Sequence, residues 1–495
     1  MGWPGQLHAL NESQLPHRVR PYLNHAVSFK RPCSPQERIA ALESVGLNVF
    51  FYPAELVSGC DLLSDSGTTA MTSAQWAALH LGDEAYGSNR GYFVVQAQVR
   101  ETFGEEFFDQ KPGQPANAFL FHQGRAAEDA LFAQLGASSP GLIVPSNGHF
   151  DTTQANLEAH RIQPLNLFSP QLKEASSACH FKGDMDVHKL ENLLEKHHPK
   201  IPLVYLTITN NTGGGQPVSM DNVSRVGALA HQFEIPLFLD ACRFAENAYF
   251  IQRHEPGFAK RAIPEIVREM FSHADGFTIS FKKDGLANMG GGLFVRRDGL
   301  FARKYPKLLD ALTDYQIRKE GHPTYGGMSG RDILALAQGL KTVTEEPYLS
   351  YRVEQVASFG YAMAAQGLPV LTPFGGHAVY LDMNRFFADS PLQPADFGGV
   401  SFVALLLGAF GHRACELGHF AFGKYDTHAG KDVFPEVNFV RFAVPRLRYE
   451  QQDLQAVAEA AGALYQQRDR IPPVEVVWGR ELPLRHFKAR FRFRT

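Results

Sequence analysis

Five short runs that are apolar or β-branched at every position recur between stretches of helical periodicity: Leu142-Ile143-Val144, Leu203-Val204-Tyr205-Leu206-Thr207-Ile208, Leu237-Phe238-Leu239, Phe277-Thr278-Ile279 and Leu293-Phe294-Val295. A strand with one wet face alternates, whereas a continuous apolar run belongs to a strand covered on both faces. Helical stretches between such strands are the crossovers that parallel pairing requires. The pattern predicts an α/β fold whose large domain, residues 61–340, holds a mostly parallel sheet. Residues 1–60 mix prolines and charges with short periodic pieces and read as an amino-terminal arm plus part of a smaller domain. Residues 341–495 read as a small α+β carboxyl-terminal domain. It opens with helices and closes on Phe487-Lys488-Ala489-Arg490-Phe491-Arg492-Phe493-Arg494, whose alternation predicts a strand with one apolar and one basic face.

Composition removes several classes of function. A formal net charge of −3 argues against nucleic acid or an anionic membrane as partner. The longest apolar stretch, Val400 to Phe410, is too short to span a bilayer and reads as a core helix. Met1-Gly2-Trp3-Pro4-Gly5-Gln6 lacks a basic segment followed by an apolar one, so no secretory leader is read and the cytoplasm is the expected compartment. Five scattered cysteines without C-x-x-C spacing read as thiols, with neither a disulfide framework nor a zinc site. His197-His198 ends a stretch with Val187, Leu190 and Leu194 at helical spacing and reads as a solvated helix end.

The chemistry gathers around Lys282-Lys283. These lysines follow the strand-like Gly276-Phe277-Thr278-Ile279-Ser280-Phe281 and precede Gly290-Gly291-Gly292, which puts them where open α/β sheets bind ligands. An amine there suits a Schiff base if burial or a neighbouring cation lowers its proton affinity. Asp240 closes the run Leu237-Phe238-Leu239, 43 residues before Lys283, and is placed to keep a pyridine nitrogen protonated. Gln123-Gly124-Arg125 opens a helix-like stretch, so free backbone N–H groups and a guanidinium can meet a phosphate, with Ser280 adding a hydroxyl. Phe150 offers a flat face for an aromatic ring. Pyridoxal 5′-phosphate needs these parts together.

In order and local sequence the chain resembles the β-eliminating lyase family of tryptophan indole-lyases and tyrosine phenol-lyases. The resemblance is carried by Leu62-Leu63-Ser64-Asp65-Ser66-Gly67-Thr68, Gly82-Asp83-Glu84-Ala85-Tyr86, His122-Gln123-Gly124-Arg125, Gly214-Gly215-Gln216-Pro217-Val218-Ser219-Met220, Glu246-Asn247-Ala248-Tyr249-Phe250, Lys282-Lys283-Asp284, Pro323-Thr324-Tyr325-Gly326-Gly327 and Val440-Arg441. It implies the pyridoxal-phosphate fold type I of aspartate aminotransferase, and a homotetramer with shared active sites. It also implies an amino-acid substrate and a potassium or similar monovalent cation. By the same resemblance Lys283 carries the cofactor and takes the substrate's α-proton, and Asp240 holds the ring nitrogen. Asn211 and Arg243 contact the cofactor's phenolic oxygen or the substrate carboxylate; Gln123, Gly124, Arg125 and Ser280 hold the phosphate; Phe150 stacks on the ring. Arg441 and Ser64 bind the substrate carboxylate. Tyr86, lent by a neighbouring subunit, protonates the leaving ring, and Glu84, with backbone oxygens near Gly67 and Asn288, binds the cation.

Three positions resemble the indole-lyase branch: Asp151, an acceptor for an indole N–H; Leu417, where the phenol branch has an arginine; and His486, where it has phenylalanine. Ser64, Gly213 and Asn288 depart from that branch. The implied reaction is conversion of L-tryptophan and water to indole, pyruvate and ammonium. Tyrosine, cysteine or an S-alkylcysteine as substrate, and a catalytically silent homologue used as a binding subunit, are the alternatives.

Overall fold

A computed structural model of the chain describes residues 20–23, 26–111, 113–174 and 178–494. Residues 1–6, from which the lack of a leader is read, lie outside them. The central sheet has seven strands: β1 (Ala118–Phe121), β2 (Ile143–Ser146), β3 (Gln163–Asn166), β4 (Val204–Thr207), β5 (Leu237–Asp240), β6 (Gly276–Ser280) and β7 (Gly291–Val295). Their order is β1-β7-β6-β5-β4-β2-β3, and helices join most of them in sequence. All five apolar runs fall on strands of this sheet, so the α/β class read from them holds. Only β7 runs against its neighbours. The connection from Phe281 to Gly290 is shorter than a parallel crossover needs, so the chain has to return beside β6 antiparallel.

Alternate residues feed opposite faces. Leu206, Leu239 and Phe277 join one core with Val95, Phe103 and Phe271, while Phe119, Tyr205 and Phe238 join a second core with Leu131 and Phe301. Both faces are thereby covered, as the lack of alternation in the runs requires.

Seven further strands lie in the carboxyl-terminal part: β8 (Ala378–Asp382), β9 (Cys415–Leu417), β10 (Lys424–Asp426), β11 (Lys431–Val433), β12 (Phe439–Ala443), β13 (Val474–Trp478) and β14 (Arg490–Phe493). β12 pairs antiparallel with β8 on one side and β9 on the other. A third core gathers Leu42, Val49 and Leu62 with Phe359, Leu381, Phe402, Phe442 and Phe491. The helix Gly398–Phe410 is buried along most of its length, and the helix Val187–His197 ends at the predicted histidines. The expectation for the tail needs correction. Only Arg490–Phe493 is a strand, because Leu484 adopts a left-handed conformation and Arg485–Phe487 form a short 3-10 turn. The Asn48 amide holds that turn by donating to the carbonyls of His486 and Ala489. Among the described residues no helix is long and apolar enough to cross a membrane.

Candidate active site

A cavity of about 260 Å³ lies at the carboxyl ends of β1, β4, β5 and β6, and its lining is completed by β9, β12 and the turn Arg485–Phe487. It brings together Lys283, Asp240, Gln123, Gly124, Arg125, Phe150, Asn211, Arg243, Ser280, Ser64, Arg441, Asp151, His486 and Leu417. These residues are spread over most of the sequence. Strand ends and the chain that returns over them put them in one place.

At one end of the cavity, the helix Gly124–Ser138 begins against the end of β6. A Cβ on Gly124 would stand 2.6 Å from the Ser280 Cβ, so glycine is what lets the helix start so close to the strand. Its first N–H groups, Arg125 and the Ser280 hydroxyl form a seat for an anion. Asp240 is buried at the end of β5 and pairs in register with Thr278 of β6. Lys283 sits in the turn that follows β6, with its backbone N–H on the Ser280 carbonyl. Beside it, burial and then the Lys283 charge lower the proton affinity of the Lys282 amine. The Thr209 hydroxyl lines the same space and is buried without a partner among the described residues. An anion seat, a buried carboxylate, a lysine and an unpaired hydroxyl around one cavity fit pyridoxal phosphate.

The other end presents the Arg441 guanidinium beside Phe150 and Leu417. Arg441 of β12 donates to the Leu63 carbonyl at 2.9 Å and to Asn211 Oδ1 at 3.3 Å, and its guanidinium carbon is 6.0 Å from the Phe150 ring centre. Its Nε has no partner among the described residues. His486 Nε2 and Asp151 Oδ2 are 2.8 Å apart, both side chains buried, with Leu417 lining the same cavity. Burial pushes the Asp151 carboxyl up, but the His486 hydrogen bond and charge, with help from Arg125, hold it below its usual value.

Beneath the cavity lies a buried ion network. Asp65 accepts from Arg243 at Nε (3.0 Å) and Nη2 (2.8 Å), and from Arg446 Nη1 (2.9 Å). Arg446 Nη2 donates at 2.8 Å to both Glu246 and Asp284, and Arg352 Nε donates to Glu246 at 3.1 Å. Asp284, the residue after Lys283, also accepts the backbone N–H groups of Ala245 and Glu246 at the start of the helix Phe244–His254. Arg243 therefore reaches the cavity already bound to Asp65, an arrangement not evident from its own motif.

Four proposed site residues stand elsewhere. Tyr86 is 74% exposed and packs on His322 and Tyr325, outside the cavity. Glu84 pairs with Arg331 at 2.8 Å on the surface. The Asn288 amide donates to the carbonyls of Gly67 and Thr69, so Gly67 and Asn288 meet, but without Glu84. A single chain thus does not gather the expected cation ligands. Conversely, Glu128, which belongs to none of the sequence motifs above, lines the cavity and accepts from Thr153 at 2.8 Å and Tyr205 at 3.3 Å. Burial, then the charge of Asp240, pushes its carboxyl up to about 8. Its position four residues after Gly124, one helical turn on, was the available signal.

Two outcomes follow from this geometry. Arg446→Ala strands Asp65, Glu246 and Asp284 and is expected to cost about 3–5 kcal/mol in urea unfolding of the cofactor-free protein, against about 1 kcal/mol or less for Arg331→Ala on the surface. Equal losses would deny the network its weight. Glu128 ionises at 4.5 in its ordinary state but near 8 when folded, so the folded chain holds this proton more tightly. Its contribution to stability is full below the lower value and lost as pH rises to the upper one. Glu128→Gln should flatten the fall in urea midpoint between about pH 6 and about pH 8; an unchanged slope would show that Glu128 does not titrate there.

The family model "Beta-eliminating lyase" matches residues 61–460. A tryptophanase of Rhodobacter capsulatus is 39% identical over 473 residues, 96% of this chain and 98% of that protein. A probable tryptophanase of Aeropyrum pernix is 40% identical over 95% of this chain and 96% of its own. A tyrosine phenol-lyase of Lacrimispora saccharolytica is 38% identical over 92% of each. With the sheet and cavity described above, these similarities establish that the chain belongs to the β-eliminating lyase family and is a pyridoxal-phosphate-dependent lyase of fold type I.

Proposed function

We propose that the substrate is L-tryptophan and that the products are indole, pyruvate and ammonium. The observation that carries this reading is the buried Asp151–His486 pair, 2.8 Å apart, in the cavity that Leu417 also lines. An ionised carboxylate held by a histidine is an acceptor for an indole N–H. A phenol hydroxyl would find a leucine at the position where the phenol branch has an arginine, and the missing charged hydrogen bond costs tyrosine about 1.5–3 kcal/mol.

Pyridoxal phosphate bound at the anion seat supplies an electron sink for negative charge at the substrate α-carbon. In this reading the helix start at Gly124, with Gln123, Arg125 and Ser280, holds the phosphate, Phe150 stacks on the ring, and Asp240 keeps the ring nitrogen protonated. Arg243 and the Asn211 amide face the cofactor's phenolic oxygen or the substrate carboxylate. Arg441 and the Ser64 hydroxyl bind that carboxylate and turn the α-hydrogen toward the Lys283 Nζ, which takes the proton. An aryl carbanion does not leave unless its ring carbon is protonated first. Tyr86 is assigned that proton transfer in the site of a neighbouring copy, as its exposure allows. Sharing of sites between copies goes with a homotetramer. Glu84 with carbonyls near Gly67 and Asn288 is proposed to bind potassium at a contact between copies, since oxygen ligands suit a hard cation. Residues 61–340 form the cofactor-binding unit in this scheme, and 341–495 with part of 1–60 form the unit that brings Arg441.

Pyruvate release from tryptophan, tyrosine and S-methylcysteine, measured side by side, tests the assignment. Tryptophan is expected to exceed tyrosine by about tenfold or more in kcat/KM, and Asp151→Asn to lower the tryptophan value by about ten- to a hundredfold. Phenol from tyrosine without indole from tryptophan would overturn it.

A further inference from the structure

Tyr380 lies outside the cavity lining, yet it touches the group that the cavity's arginine leans on. It stands directly opposite Arg441 in the β8–β12 pairing. Its hydroxyl donates to Asn211 Oδ1 at 2.6 Å, with the Asn211 carbonyl oxygen 3.0 Å away, and His377 Nε2 lies 3.3 Å from both the hydroxyl and Oδ1. Arg441 Nη1 reaches the same Oδ1. Burial keeps the Tyr380 phenol protonated by pushing it up, and burial with the Arg243 charge keeps His377 neutral by pulling it well down. Gly215 leaves the room for this cluster, since a Cβ there would stand 2.8 Å from His377 Cε1 and 3.1 Å from Tyr380 Cε2.

These contacts fix which way the Asn211 amide points. With Oδ1 accepting from Tyr380 and Arg441, the Nδ2 donor, which has no protein partner among the described residues, is what Asn211 offers to the cavity. The same oxygen anchors Arg441. One hydroxyl thus ties β8, the strand paired with the one that carries the arginine, to the loop that follows β4.

We propose that Tyr380 is a positioning residue for substrate-carboxylate binding, acting through the orientation of Asn211 and the placement of Arg441. The proposal rests on the reading of Arg441 as the carboxylate-binding arginine. Tyr380→Phe removes only the hydroxyl and keeps the edge-on ring contacts with Phe439 and His377.

The test uses the cofactor-loaded protein and L-alanine, an amino acid without a leaving group, whose binding is followed by the visible absorbance of the bound cofactor. Affinity of the cofactor-free protein for pyridoxal phosphate is measured separately. Tyr380→Phe is expected to weaken alanine about tenfold and to raise KM more than it lowers kcat, with pyridoxal-phosphate affinity kept within about twofold. Arg441→Ala should weaken alanine by more. If Arg441→Ala leaves alanine binding intact, the reading of Arg441 fails, and the proposal with it. If Arg441→Ala weakens alanine but Tyr380→Phe does not, the proposal alone is overturned. Equal loss of alanine and cofactor in Tyr380→Phe would also overturn it, since the hydroxyl would then support the fold. Asn211→Asp keeps an acceptor for Tyr380 while turning a second oxygen to the cavity. It is expected to weaken alanine at least as much, and serves if Tyr380→Phe does not fold.

Discussion

Arg446 is the constraint on which the arrangement of the cavity depends. It is wholly buried and binds three carboxylates from three distant segments: Asp65, Glu246 and Asp284. Each of these has a second task. Asp65 carries Arg243 into the cavity, Glu246 pairs with Arg352, and Asp284 caps the helix that starts at Phe244 while fixing the residue next to Lys283. Burying so many charges is costly, and the cost is contained because three guanidinium groups face three carboxylates with hydrogen bonds between them. Even so, Asp284 is pushed up to about 6 by burial and by the Glu246 charge, despite Arg446. The Arg446 carbonyl also accepts from Ala70 and Thr69, so the segment that follows Ser64 is held by the same residue.

The cavity divides its work by element. Strand ends of the central sheet hold the anion seat, Asp240 and the lysine, and these positions are set by a sheet packed on both faces. The lining groups Arg441, Leu417 and His486 come from β12, β9 and a 3-10 turn. The two sets meet through a few hydrogen bonds, among them Asp151 to His486 and the Asn211 oxygen shared by Tyr380 and Arg441. In the proposed scheme, chemistry common to the family is thereby separated from the side-chain preference that divides its branches.

What could be read from the sequence follows from where the information lies. Strands β2, β4, β5, β6 and β7 announce themselves as apolar runs, and Gln123-Gly124-Arg125 and Lys282-Lys283 sit at the junctions where such strands end. β3, Gln163–Asn166, is an edge strand with little burial, so it has no apolar run to betray it. The tail alternates down to Phe487, but that residue belongs to the turn that delivers His486 to Asp151, and a tertiary contact overrides the local pattern there. Arg446, Glu128 and Tyr380 have partners tens to hundreds of residues away, and no short motif encodes such a meeting. The roles of Tyr86 and Glu84 rest on the family resemblance alone, and the fold of one chain leaves both on its surface.

We propose that Lys283, not its neighbour Lys282, is the amine that carries the cofactor. Borohydride reduction of the pyridoxal-phosphate-loaded protein, followed by peptide mass spectrometry, tests it directly. A reduced phosphopyridoxyl group is expected on Lys283 and none on Lys282. A label on Lys282, or on neither lysine, would contradict it.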